Sequence, residues 1–185
     1  SGLICAREEG VPVVAISSQA RSGIVYPFVS GAFQAVNQYE IMRPVVKWNA
    51  VVHQWRRIPE IIQRAFREAT AGRPGPVHVD IPYDIIYEEG DDSELKYLEP
   101  HQYRPMAMEP PAAPIDEAAR LIAGAKNPLL IAGTGVLNSG GWDEFRELVE
   151  LLNCPATTSM AARAAFDNDH PNYLLGRERP LPQAQ

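Results

Sequence analysis

Two short apolar runs constrain this chain more than any other feature. Residues 11–18 (VPVVAISS) are a continuous apolar run with β-branched side chains, and residues 77–81 (VHVDI) are a second, shorter stretch of the same kind of residue. Such runs read as strands buried on both faces, the condition of a parallel sheet covered by helices. Between them, residues 58–71 (IPEIIQRAFREATA) put Ile61, Ile62, Ala65, Phe66 and Ala69 on one stripe, and Pro59 suits the first turn. Gly72 is a natural C-terminal cap, and Pro74 bars continuation of the helix. Strand, helix-bearing connection, strand is the βαβ pattern of an α/β fold.

The pattern breaks over residues 83–114. Six acidic residues (Glu88, Glu89, Asp91, Asp92, Glu94, Glu99) crowd here with Pro100, Pro105, Pro110, Pro111 and Pro114. That composition predicts a solvated linker over residues 86–112. A second α/β unit follows. Residues 116–126 are helical, 129–132 (LLIA) form a buried strand, and Gly133-Thr134-Gly135 comes next. Residues 143–152 are an amphipathic helix with Phe145, Leu148, Val149 and Leu152 inward, its start delayed until after Gly140 and Gly141. Residues 155–159 start another strand. The expected fold is therefore α/β: parallel sheets flanked by helices, in two incomplete units joined by a Pro-rich acidic linker. Residues 1–9 read as the tail of a helix, and two strands are few for an independent sheet, so a piece of a larger protein is expected.

The net charge of −6 disfavours nucleic acid or an anionic membrane as a partner. No apolar run approaches the ~20 residues of a membrane span. Residues 1–10 carry Arg7, Glu8 and Glu9 where a signal peptide would be apolar. The two cysteines, Cys5 and Cys154, exclude a disulfide scaffold and make a reduced, cytoplasmic setting the default.

Candidate chemistry is sparse. Gly133 and Gly135 after a strand can bring backbone N–H groups to a phosphate or simply make a tight turn, and Asn138 stands where a third glycine would complete the dinucleotide fingerprint. Gly90-Asp91-Asp92 lies in the acidic stretch without a suitably placed Asn downstream, so it is not read as a Mg²⁺ motif. His53, His78, His101 and His170 lack metal-ligand spacing, and no metal site is expected. His78, Asp80 and Ser17 could meet across neighbouring strands, but no nucleophile elbow is present. A hydrogen-bonded histidine within a sheet is the expectation there. Lys47, Trp48, His53 and Trp55 read as a loop whose aromatics pack on the sheet.

In order, VPVVAISSQ, GAFQ, RPVVKWN and IPEIIQRAFREATAGRPGPVHVDIP resemble the thiamine-diphosphate-dependent enzymes, nearest to the acetolactate synthase large-subunit branch. AKNPLLIAGTGV, CPATTSMAARAAF and DNDHPNYLLG resemble that family's central domain. The resemblance implies that residues 1–85 are the second half of a pyrimidine-binding domain and 113–185 the first half of a Rossmann-like central domain. It implies decarboxylation and carboligation of 2-oxo acids, transferase or lyase chemistry on a small-molecule substrate. It also implies thiamine diphosphate with Mg²⁺ in the complete protein, and a homodimer or homotetramer. The activating glutamate and the Gly-Asp-Gly…Asn metal motif of the family fall outside this sequence. No catalytic residue is therefore expected in it, nor activity from it alone. Gln34 matches a glutamine near cofactor and substrate, with Phe33 as a pocket wall; Ala35 replaces the glutamate that usually follows. Tyr83 stands where the acetolactate branch has a lysine at the substrate entrance. Gly133, Thr134 and Gly135 match one loop that holds FAD, or ADP in other branches, and Thr158, Ser159 and Met160 match another. A non-catalytic nucleotide-binding or subunit-interaction module is the alternative on the same scaffold.

Overall fold

The computed structural model describes residues 1–25, 32–106 and 109–174. The chain divides into two units, Ser1–Ala107 and Met108–Gln185. In the first, α1 (Gly2–Glu9) leads into β1 (Val13–Gln19), then α2 (Ser22–Val25), α3 (Gln38–Met42) and β2 (Trp48–Val51). The helix α4 (Ile58–Thr70), the strand β3 (Pro76–Pro82) and two short helices, α5 (Tyr83–Ile86) and α6 (Pro100–Tyr103), complete it.

The strands are parallel and ordered β1–β3–β2. All seven residues of β3 are buried, so His78 and Asp80, which alternate with Val77, Val79 and Ile81, are enclosed as well. Val77, Val79 and Ile81 face α4, whose Ile61, Ala65 and Ala69 are buried against them. Lys47 secures the end of α4. Its Nζ donates to the carbonyls of Glu68, Ala71 and Arg73 at 2.8, 2.8 and 2.7 Å. A cation on the last carbonyls of a helix satisfies acceptors that the helix itself cannot, and it sits at the negative end of the macrodipole.

Two sequence expectations change in this unit. Residues 48–51, read as loop, form the edge strand β2. Four residues interrupted by Asn49 are too short to show a period, but Trp48 does pack on the core as expected. The described residues of the expected linker up to Met106 fall within the first unit. Gly90 lies against the indole of Trp55, which is only 9% exposed, and a Cβ on Gly90 would stand 1.9 Å from Cζ2. Arg56 lies over the same ring and pairs with Glu94, and Leu95 packs on the core. Asp91 accepts from the Ser93 backbone N–H, and Asp92 accepts from the Tyr97 hydroxyl. The acidic side chains thus serve local turns.

In the second unit, α7 (Ala112–Ala123) is followed by β4 (Leu130–Ala132), α8 (Thr134–Ser139), α9 (Trp142–Leu152) and β5 (Ala156–Thr158). The helix α7 begins four residues earlier than expected because Pro114 is tolerated in a first turn. The strands β4 and β5 are parallel, and Tyr173 bridges to Ala156 on the other side. Val149, Ala156 and Phe166 form one small core, and Ala132, Ala162 and Ala165 another, with Phe145 against both. The expectation that no helix starts before Gly141 is corrected. The helix α8 starts at Thr134, directly after the strand, and ends at Gly140, whose φ of +72° lets the chain turn into α9.

Candidate functional site

The second unit gathers Gly133, Thr134, Gly135, Thr158, Ser159 and Met160 at one place. Gly133–Gly135 lies at the carboxyl end of β4 and residues 158–160 at the carboxyl end of β5. The Ser159 backbone N–H donates to the Ala132 carbonyl at 2.8 Å, fixing one loop beside the other. Open α/β sheets take ligands at this end. A Cβ built on Gly133 or Gly135 would meet nothing within 4 Å, so the backbone there faces open space. Thr158 is 3% exposed, yet its Oγ1 has no hydrogen-bond partner. A buried hydroxyl left unpaired is destabilising unless something else bonds it. Accessible glycine backbone and an orphaned hydroxyl fit the hydroxyls and phosphates of a nucleotide such as FAD or ADP. Met160 is 69% exposed and presents an apolar surface at the same rim.

The first unit treats its expected residues differently. Phe33 is 88% exposed, and Gln34 takes a left-handed backbone at φ +58°. Both precede α3, whose N-cap Asn37 accepts from the Glu40 N–H at 3.1 Å. The remaining residue of that motif, Gly31, lies outside the described residues. Among the described residues no group of three or more His, Cys, Asp or Glu could hold a metal ion.

Ser17, His78 and Asp80 do meet. Ser17 Oγ lies 2.7 Å from His78 Nε2 and 3.2 Å from Asp80 Oδ1. Ser17 has one proton, and donating it to Asp80 leaves Nε2–H of His78 as the donor to Ser17. His78 then cannot act as a base toward the hydroxyl. Burial pushes the His78 pKa down, holding the ring neutral. This is a buried polar bridge between β1 and β3, as the sequence reading expected, and it provides no activated nucleophile.

Sequence reasoning missed Arg21. It stands two residues beyond the carboxyl end of β1, and its Nε donates to the Tyr83 hydroxyl at 2.7 Å. Its position just past a buried parallel strand was the available signal.

Residues 115–179 match the family described as thiamine pyrophosphate enzyme, central domain. In this stretch the chain is similar to the thiamine pyrophosphate enzymes. Over 94% of its length it is 36% identical to a probable acetolactate synthase large subunit of Methanococcus aeolicus, of which it covers 29%. It is 36% identical over 91% of its length to an acetolactate synthase of Mycobacterium bovis, covering 27% of that protein. With an acetolactate synthase large subunit of Buchnera aphidicola the identity is 34% over 92% of the chain and 29% of the relative. The chain thus spans less than a third of these curated relatives. The rim at β4 and β5 lies wholly inside the residues that match the family's central domain. No helix among the described residues is long and apolar enough to cross a membrane.

Proposed function

We propose that the complete protein containing this chain is a thiamine-diphosphate-dependent enzyme that decarboxylates 2-oxo acids and joins the product to an acceptor, as acetolactate synthase does. The observation that carries this reading is the likeness to acetolactate synthase large subunits over nine tenths of the chain. In this reading residues 1–85 belong to the pyrimidine-binding domain and 113–185 to the central domain, within a cytoplasmic homodimer or homotetramer. Thiamine diphosphate, with Mg²⁺, supplies the electron sink for loss of CO₂, chemistry that no side chain here offers. Phe33 and Gln34 serve its surroundings only in the complete protein, and the chain alone turns over nothing. The rim of Gly133, Thr134, Gly135, Thr158, Ser159 and Met160 holds FAD or ADP in a structural role.

Tyr83 at the position of the usual lysine favours a second reading within the family, a decarboxylase or lyase that does not form acetolactate. Product analysis separates them. The complete protein is incubated with pyruvate, thiamine diphosphate and Mg²⁺. A 2-hydroxy-3-oxo acid supports the synthase, and free aldehyde supports the decarboxylase. No consumption of any 2-oxo acid, with ADP still bound, leaves a non-catalytic nucleotide-binding module.

A further inference from the structure

The carboxyl ends of β1 and β3 carry a charged group that the reading above does not use. Gln19 and Pro82 are register partners and close the two strands side by side. Arg21 follows one strand and Tyr83 the other. Besides the 2.7 Å bond from Nε to the Tyr83 hydroxyl, the Arg21 guanidinium carbon lies 5.5 Å from the centroid of the Tyr83 ring. Tyr83 is in turn placed edge-on to Tyr87, with centroids 6.4 Å apart. Two contacts therefore orient an exposed guanidinium, and they occupy its Nε and one face.

The Nη1 and Nη2 edge has no partner among the described residues. The carboxylate beside Tyr83, Asp84, is engaged elsewhere: its Oδ1 accepts from the Ser22 N–H at 3.1 Å and from Ser22 Oγ at 3.2 Å. The rim beside it is held by Gln38, whose Nε2 donates to the Ser18 carbonyl at 3.1 Å. A planar guanidinium edge fixed in direction matches the two oxygens of a carboxylate. It stands at the end of a parallel sheet where α/β proteins receive ligands.

We propose that Arg21 binds the carboxylate of the acid substrate, with Tyr83 as its positioning residue. This rests on the 2-oxo-acid reading for the identity of the acid. A lysine at position 83 would offer a mobile point charge, whereas Arg21 steered by Tyr83 offers a directed fork.

The test measures binding and turnover separately on the complete protein. Binding of pyruvate and of its uncharged methyl ester is measured by calorimetry for the wild type, Arg21→Met, Arg21→Lys and Tyr83→Phe. The expected result is a loss of about tenfold or more in pyruvate affinity for Arg21→Met, with methyl pyruvate unchanged. Arg21→Lys keeps the charge but loses the fork, and is expected to recover only part of the affinity. Tyr83→Phe is expected to fall between wild type and Arg21→Met. An acid-to-ester preference that is absent in the wild type, or the same in Arg21→Met, overturns the assignment. CO₂ release by the wild type is scored independently. Release with an unchanged preference sinks the site and leaves the reaction standing; a lost preference without release does the reverse.

Discussion

Replacing Gly90 by Ala tests whether the acidic stretch is part of the first unit. The added Cβ would lie 1.9, 2.3 and 2.4 Å from Cζ2, Cη2 and Cε2 of Trp55. Carbon atoms in contact sit about 3.5–4.0 Å apart, so a shift of roughly 1.6 Å or more is forced. Trp55 is held among Val52, Ile61, Val79 and the rest of the core and has little room to move. The segment around Gly90 must lift instead. Uncovering one indole face, on the order of 60–80 Å², removes about 1.5–2 kcal/mol at ~25 cal/mol per Å². Losing the half-exposed Arg56–Glu94 pair adds little, because water screens it. A cost of about 1.5–2 kcal/mol is that of a local opening. It should raise the rate of tryptic cleavage after Lys96 by roughly tenfold or more, measured by mass spectrometry on the complete protein. Gly23→Ala, where a Cβ meets nothing within 4 Å, is the control and should leave that rate unchanged. Equal cleavage of Gly90→Ala and wild type would refute the seating on Trp55 and restore a free linker.

Other consequences follow from the buried polar groups. His78 is neutral because burial lowers its pKa below the ordinary 6.5, while the unfolded chain takes up a proton at that ordinary value. Stability from this group is present above about pH 6.5 and is lost as pH falls toward the lowered value. Urea midpoints measured from pH 7.5 to 5 should fall more steeply for wild type than for His78→Gln; parallel curves would remove His78 from the acid response. Thr158→Val removes the orphaned hydroxyl with little change of shape. It should stabilise the nucleotide-free protein by about 1 kcal/mol and weaken ADP or FAD binding, as read by melting with and without nucleotide. Unchanged nucleotide binding would take Thr158 out of the rim.

Much of the scaffold was legible because burial writes continuous apolar runs. Residues 77–81 became the fully buried β3, and the stripe from Ile61 to Ala69 the buried face of α4. Residues 11–18, by contrast, became β1, paired on one side with β3 and not buried on both faces as expected, since Ile16 is 58% exposed. What escaped was decided by contacts between distant residues. β2 is a strand because it pairs with β3, not because WNAV is a strong strand sequence. The acidic stretch is seated because Gly90 can approach Trp55, a fit that composition does not encode. α8 was hidden because TGVLNS is short and framed by glycines that suggest a loop. At the candidate sites, the two nucleotide-rim motifs were legible as strand-end loops, and their proximity follows from β4–β5 pairing. Arg21 was not, because its role depends on a tyrosine 62 positions away.

The central claim, that the complete protein works through thiamine diphosphate, is tested most directly by calorimetric titration of that cofactor into it with and without Mg²⁺. The account predicts saturable, Mg²⁺-dependent binding at one cofactor per chain. A folded, complete protein that binds no thiamine diphosphate in the presence of Mg²⁺ would contradict it.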